Sequence, residues 1–314
     1  MNKKHLFGPV NSRRLGISLG VDMVQFKVCS LNCVYCECGE TTQLTSERKE
    51  YSSKEEIISE LTEYLSENPR LDYVTFAGSG EPTLNTGIGE IVRYVKQKFP
   101  QYKTALLTNG TLFNIAQVRE DAMPFDLICP SLDAVSDEVF TKVNRPEDSL
   151  KNSEIINGLT EFAKEYKGQL WVEVFIVPGI NDHTGELSLF KAALQNMKPT
   201  RVQLNSLDRP GTCEWVRPAE ISKLNEIARF LSPLPVEIIS RQIGKIHELD
   251  PVEEGSEEAV ICLLARRPST VEELSSLTGR TINQINLLLD KLIDDRRVVK
   301  ELTGSNWFYR IYQD

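Results

Sequence analysis

Short runs of β-branched and aromatic residues alternate with longer amphipathic segments across most of this 314-residue chain, and that rhythm constrains its fold more than any other feature. Strands are predicted over 17–22, 71–77, 103–108, 125–132, 169–177 and 200–205, with one more over 236–240. Between them, helices are predicted over 88–99, 112–122, 137–143, 150–166, 187–195 and 221–231. An earlier helix opens at Ser53-Lys54-Glu55-Glu56, a capping-box pattern, and ends at Asn68-Pro69. Strands separated by helices form right-handed βαβ units and a parallel sheet. Six such units give an α/β chain with an open or partial barrel, whose chemistry belongs at the C-terminal ends of the strands.

The rhythm changes after a polar, acidic stretch. It divides the chain into 1–245, a linker at 246–256, and a module at 257–314. The module reads as helices over 259–266, 271–277 and 281–294, then a hairpin of 297–302 and 307–311 about a turn at 303–306. Three helices and a hairpin resemble a small C-terminal winged helix-turn-helix domain. Arg280, Asn283, Gln284 and Asn286 are its candidate nucleic-acid contacts. From 257 to 314, however, eight Lys and Arg stand against nine Asp and Glu, so protein contact or substrate covering remains an equal reading.

Composition narrows the function. An apolar fraction of 40% fills a core of this size, and no apolar run approaches the roughly 20 residues that span a bilayer. The N-terminal stretch lacks the long apolar region of a signal peptide, so no membrane partner and a cytoplasmic location are expected. A net charge of −9 argues against a uniformly basic surface that coats nucleic acid. Seven cysteines in such a compartment point to metal binding, thiol chemistry or burial.

Three of them, Cys29, Cys33 and Cys36, follow a strand-like run with spacing C-x3-C-x2-C. In one loop, three thiolates can hold an iron–sulfur cube and leave one iron without a protein ligand. Two alternatives stay open on spacing. Cys38 supplies a fourth thiol for zinc, although one residue between Cys36 and Cys38 is shorter than zinc sites use. Cys33 and Cys36 alone form a redox pair, which leaves Cys29 unexplained. Ala77-Gly78-Ser79-Gly80-Glu81-Pro82-Thr83-Leu84 then closes the 71–77 strand, with glycines that admit close backbone approach and a carboxylate able to accept from an ammonium. Further strand ends carry Thr108-Asn109-Gly110, Ser131-Leu132-Asp133, and Val177 through Asn181 to Asp182. Asp133 is alternatively a cap for the helix near Ser136. Arg13 and Arg14 are either a solvated pair or an anion contact, and Arg209 either a surface residue or a substrate anchor. Cys213 is either inert or a hydrogen donor, Cys129 and Cys262 are assigned to the core, and His5, His183 and His247 show no metal-ligand spacing.

The cysteine spacing, the aromatic Tyr35 before the third cysteine, and the Gly-Ser-Gly-Glu-Pro-Thr turn resemble the radical S-adenosylmethionine (SAM) superfamily. That resemblance implies a 4Fe–4S cluster on Cys29, Cys33 and Cys36, with SAM as cofactor. SAM-binding positions implied by it are Tyr35, Gly78, Ser79, Gly80, Glu81, Asn109, Ser131, Asp133, Val177 and Asn181. Gly78 to Glu81 would bind the amino group, Ser131 and Asp133 the ribose, and the 177–182 segment the adenine. It further implies a reducing partner such as flavodoxin or ferredoxin, one-electron cleavage of SAM, and a 5′-deoxyadenosyl radical that abstracts hydrogen from a substrate. Cys38 stands outside the implied ligand set. The opening and both motifs look most like an uncharacterised prokaryotic group related to the tRNA wybutosine-synthesis enzymes. Those enzymes carry a second cluster, for which this chain has no second cysteine triplet. RNA or another macromolecule, a small metabolite or cofactor precursor, and a SAM- or redox-sensing DNA-binding role are the three readings that remain.

Overall fold

A computed structural model describes residues 4–12, 14–239, 257–303 and 306–312. Chain order begins with β1 (Leu6–Ser12), β2 (Gly16–Val21), β3 (Val28–Cys29), β4 (Gln43–Leu44), α1 (Lys54–Ser66) and β5 (Tyr73–Phe76). It continues through α2 (Ile88–Lys98), β6 (Lys103–Thr108), α3 (Ala116–Ala122), β7 (Leu127–Pro130), α4 (Asp137–Asn144), α5 (Asn152–Glu165) and β8 (Gln169–Ile176). Then follow α6 (Thr184–Met197), β9 (Arg201–Ser206), α7 (Ile221–Leu231) and β10 (Val236–Ile238). The last part holds α8 (Glu257–Arg266), α9 (Val271–Thr278), α10 (Ile282–Asp294), β11 (Val298–Thr303) and β12 (Asn306–Ile311).

One sheet runs β1-β2-β5-β6-β7-β8-β9-β10. Every pairing from β2 to β10 is parallel, as right-handed βαβ units require. The barrel is not closed, since β1 and β10 are its two edges. β1 corrects the sequence reading of 7–16 as turn formers. It pairs antiparallel with β2 across an irregularity between Phe7 and Val10, and Pro9 sits there, on an edge where its missing N–H breaks no ladder.

The strands bury two unlike faces. Leu19, Val21, Val74, Phe76, Leu106, Ile128, Val172, Val174, Val202 and Leu204 lie under the helices in the main core. The opposite face carries a short apolar patch of Leu15, Ala105, Leu127 and Cys129. Polar groups interrupt it, including Ser18, whose hydroxyl bonds Thr75 at 2.6 Å, and Glu173, which pairs with Arg14. Arg14 is therefore not a solvated residue, and Arg13 lies outside the described residues.

Several local expectations shift. Ser53 caps α1 by accepting from the Glu56 N–H, but the Glu56 carboxylate accepts from His5 Nε2 at 3.2 Å instead of closing the box. The 37–51 segment is more than a surface connection. β4 pairs with β3, and nearly buried Arg48 donates to Asp121 at 2.9 Å and to the Thr83 carbonyl. Cys129 is buried, whereas Cys262 is exposed, because α8 buries Val260 and Leu264 and position 262 turns away from them.

Residues 257–312 form the three helices and the antiparallel β11–β12 pair, around a core of Val260, Leu264, Leu274, Ile285, Leu288, Leu289, Leu292, Val298 and Tyr309. Thr270 caps α9 in a capping box, with Glu273 reaching back. The linker at 246–256 and His247 lie outside the described residues, as does part of the 303–306 turn. Arg209, 4% exposed, fastens this module. It donates to both Glu273 carboxylate oxygens, at 2.6 and 2.5 Å, and to the Pro268 carbonyl at 2.7 Å. Removing one partner of a buried pair typically costs about 3–5 kcal/mol. Arg209→Ala is expected to loosen the module without unfolding the sheet. Limited proteolysis should then cut between the two parts at a protease concentration that leaves the wild type intact.

Candidate functional site

The C-terminal strand ends converge on the cysteine loop. The β2 end leads into it, and Glu81, just past the β5 end, donates its N–H to the Val28 carbonyl at 3.0 Å. Gly80 rests against that same carbonyl, where a Cβ would sit at 1.9 Å from the oxygen. The loop after β9 presses on the other flank. Cys213 N–H donates to the Val34 carbonyl at 3.0 Å, and the Thr212 hydroxyl donates to the Cys36 carbonyl at 3.0 Å.

All three cysteines of the motif are free and partly buried. A side-chain N–H reaches each sulfur: Asn109 Nδ2 to Cys29 at 3.5 Å, Asn144 Nδ2 to Cys33 at 3.4 Å, and Lys27 Nζ to Cys36 at 2.9 Å. Burial pushes the Cys29 thiol up to about 12, helped by Glu81. Burial, Asp133 and the two other thiols push Cys33 up as well. Cys36 moves down to about 5, because the Cys38 thiol donates to it and Lys27 lies beside it. The thiols thus sense one another, as one shared site demands. Among the described residues, no three His, Cys, Asp or Glu side chains converge tightly enough to hold a single metal ion.

Glu81, 2% exposed, is engaged by the chain itself. It accepts from Thr83 N–H at 3.0 Å, Thr83 Oγ1 at 2.6 Å, Thr108 Oγ1 at 2.6 Å and Asn109 N–H at 2.7 Å. The carboxylate thus knots the β5 and β6 ends together. Ser79, where the superfamily's commoner motif has glycine, donates its hydroxyl to Asp22 at 3.1 Å.

Asp133 does not cap α4; Ser136 does. Instead Asp133 accepts from the Tyr35 hydroxyl, from Asn144 at 2.9 Å and from the Phe175 N–H at 3.0 Å, and burial pushes its carboxyl up to about 6. The Tyr35 ring stacks on Phe175 with centroids 3.7 Å apart. Asn181, fully buried, accepts from the Val177 N–H and donates to the Asp133 and Phe175 carbonyls, which makes it a brace of the β8 end and not a ligand-facing group. Val177 is buried beside it, and Ser131 is half-buried, bridged to Glu173.

Glu273 holds the Arg209 guanidinium, whose Nε lies 3.3 Å from Glu37 in the cysteine loop. Cys213 packs against the main core. Lys27, Asn144 and Asp22 were not singled out by sequence. Lys27 had a usable signal, a lone charge inside Phe26-Lys27-Val28 just before Cys29, but nothing local connects Asn144 to Cys33.

A family model described as the radical SAM superfamily matches residues 23–190. A UPF0026 protein of Methanocaldococcus jannaschii is 30% identical over 308 residues, spanning 96% of this chain and 94% of its own length. A protein named GTPase Obg, from Brachyspira hyodysenteriae, is 32% identical over 312 residues, 99% of this chain, which spans only 46% of that protein. In fold, the chain is similar to a radical SAM methyltransferase from Sphaerobacter thermophilus, with TM-score 0.56, 16% identity, and coverage of 70% of this chain and 65% of that one. It is also similar to TYW1 solved with a lysine-pyruvate adduct bound, with TM-score 0.52, 17% identity and coverage of 72% and 75%.

Because Glu81 serves the fold, Glu81→Gln is expected to leave donors unpaired and to lower the stability of the metal-free protein by about 1–3 kcal/mol. Urea unfolding of the apoprotein checks this; unchanged stability would return Glu81 to the ligand.

Proposed function

The chain belongs to the radical SAM superfamily, together with the UPF0026 proteins, and from that premise we propose that it is an enzyme that cleaves SAM reductively and removes hydrogen from a substrate. Members of the superfamily are enzymes, and its cofactors are SAM and a 4Fe–4S cluster. The donor set here fits the cluster: three thiols in one loop, each with a side-chain N–H donor. That set is the observation that carries the reading. When bound, the cluster supplies one electron to the SAM sulfonium and so yields the 5′-deoxyadenosyl radical that takes the hydrogen.

The chain's own residues do the rest. Cys29, Cys33 and Cys36 hold the cluster, and the Gly78–Gly80 backbone receives the amino group of SAM. Ser131 is assigned to the ribose and the 177–182 segment to the adenine. Tyr35, stacked on Phe175 and tied to Asp133, keeps the loop against the β8 end and limits water there. Thr212 and Cys213 close the loop's other flank. The electron comes from a reducing partner of the flavodoxin or ferredoxin kind.

The C-terminal module, read as winged-helix-like, is proposed to present or cover the substrate. Its position supports this, because Arg209, Glu273 and Glu37 join it directly to the cysteine loop. An RNA or other macromolecular substrate is the reading favoured here. No helix is long and apolar enough to cross a membrane among the described residues.

Anaerobic reconstitution with iron and sulfide, followed by dithionite and SAM, should give 5′-deoxyadenosine. Alanine at Cys29, Cys33 or Cys36 is expected to abolish both iron uptake and that product, while Cys38→Ala keeps both. Absence of SAM cleavage by the loaded wild type would sink the proposal, and loss of iron in Cys38→Ala would overturn the ligand set.

A further inference from the structure

We propose that Lys27 sets the reduction potential of the cluster, an inference that rests on Cys29, Cys33 and Cys36 being its ligands. Lys27 is 2% exposed. Its ammonium donates to Cys36 Sγ at 2.9 Å and to the Gly39 carbonyl. Among the described residues, no ion pair joins it to a carboxylate. A buried ammonium is expensive unless a counter-charge lies close, and the sulfur that the Lys27 ammonium contacts is that of Cys36.

The three sulfurs are not served alike. Asn109 and Asn144 give Cys29 and Cys33 neutral amide N–H groups at 3.5 and 3.4 Å. Of the three, Cys36 alone receives a charged donor, and at a shorter distance than either amide. Hydrogen bonds to the sulfurs, net charge and solvent exposure are the levers that fix an iron–sulfur potential. Taking up one electron from an external reductant makes the site more negative by one charge. A fixed positive charge at one sulfur, poorly screened by water, favours that reduced form and raises the potential. Lys27 keeps its proton throughout, so no proton transfer enters the balance.

The side chain acts separately from the loop's backbone. Lys27 N–H donates to Thr42 Oγ1 at 2.8 Å, and its carbonyl accepts from Thr42 and Gln43 N–H at 3.1 and 3.2 Å. Lys27→Met keeps those bonds and the buried aliphatic stem while removing the charge. Lys27→Arg keeps the charge.

The test is an EPR-monitored redox titration with dithionite of the reconstituted wild type, Lys27→Met and Lys27→Arg, each first assayed for iron and sulfide. All three are expected to load equally, with the Lys27→Met midpoint more negative than wild type and the Lys27→Arg midpoint close to it. An unshifted Lys27→Met midpoint, or equal shifts in both variants, would overturn the proposal, the second by making packing the cause. If Lys27→Met fails to load, Lys27→Gln takes its place. Failure of both with Lys27→Arg loaded would make the residue a requirement for assembly and likewise overturn it. A wild type that takes up no iron removes the ligand reading itself and is thereby told apart.

Discussion

Four donors converge on the Glu81 carboxylate, and the positions of the cysteine loop and of the strand ends around it follow from that convergence. Burial raises the pKa of Glu81 while the donors lower it. Because the Asn109 N–H is one of the four, the same residue's side chain is held where Nδ2 reaches Cys29 and Ser30, the latter at 2.9 Å. The Glu81 N–H meanwhile ties the turn to Val28. A conflict between local chemistry and burial is thereby turned into rigidity at the open end of the sheet, where preorganisation matters most.

A second knot does the same on the far side. Asp133 collects Tyr35, Asn144 and the β8 backbone, and Asn144 continues to Cys33. Arg209 then spans from the β9 loop to α9 and approaches Glu37. On the β1 side, Arg266 of the module lies over the Phe7 ring, 5.3 Å from its centroid, and its Nε stands 4.0 Å from Asp22. The module is thus joined to the cysteine-loop end of the sheet through charged groups at two places.

Periodicity made most of the sheet legible, because strands buried under helices read as continuous β-branched runs and amphipathic helices keep their stripe: β6 and α7 fall where the pattern puts them. β1 escaped, since Gly8 and Pro9 speak for a turn locally and only the free edge beside β2 makes a strand of them. At the site, Cys29, Cys33 and Cys36 were legible from spacing, and Gly78 to Glu81 from composition. Which atoms do the work was not. Glu81, Asp133 and Asn181 look like ligand groups in sequence, yet they also hydrogen-bond within the chain, in each case with at least one partner between 27 and 98 positions away. Arg209 misled for the same reason: its partner Glu273 lies 64 positions on, in another module. Asn144 was hidden because a donor to sulfur has no sequence pattern of its own, whereas Lys27 stood out as a lone charge in an apolar run just before Cys29.

The most direct test of the radical SAM assignment is the EPR spectrum of the dithionite-reduced, reconstituted protein before and after adding SAM. The account predicts a 4Fe–4S signal whose g values change on addition, because the iron without a cysteine is free to take the cofactor. A signal that SAM leaves unchanged, or iron bound in any form other than a 4Fe–4S cluster, would contradict it.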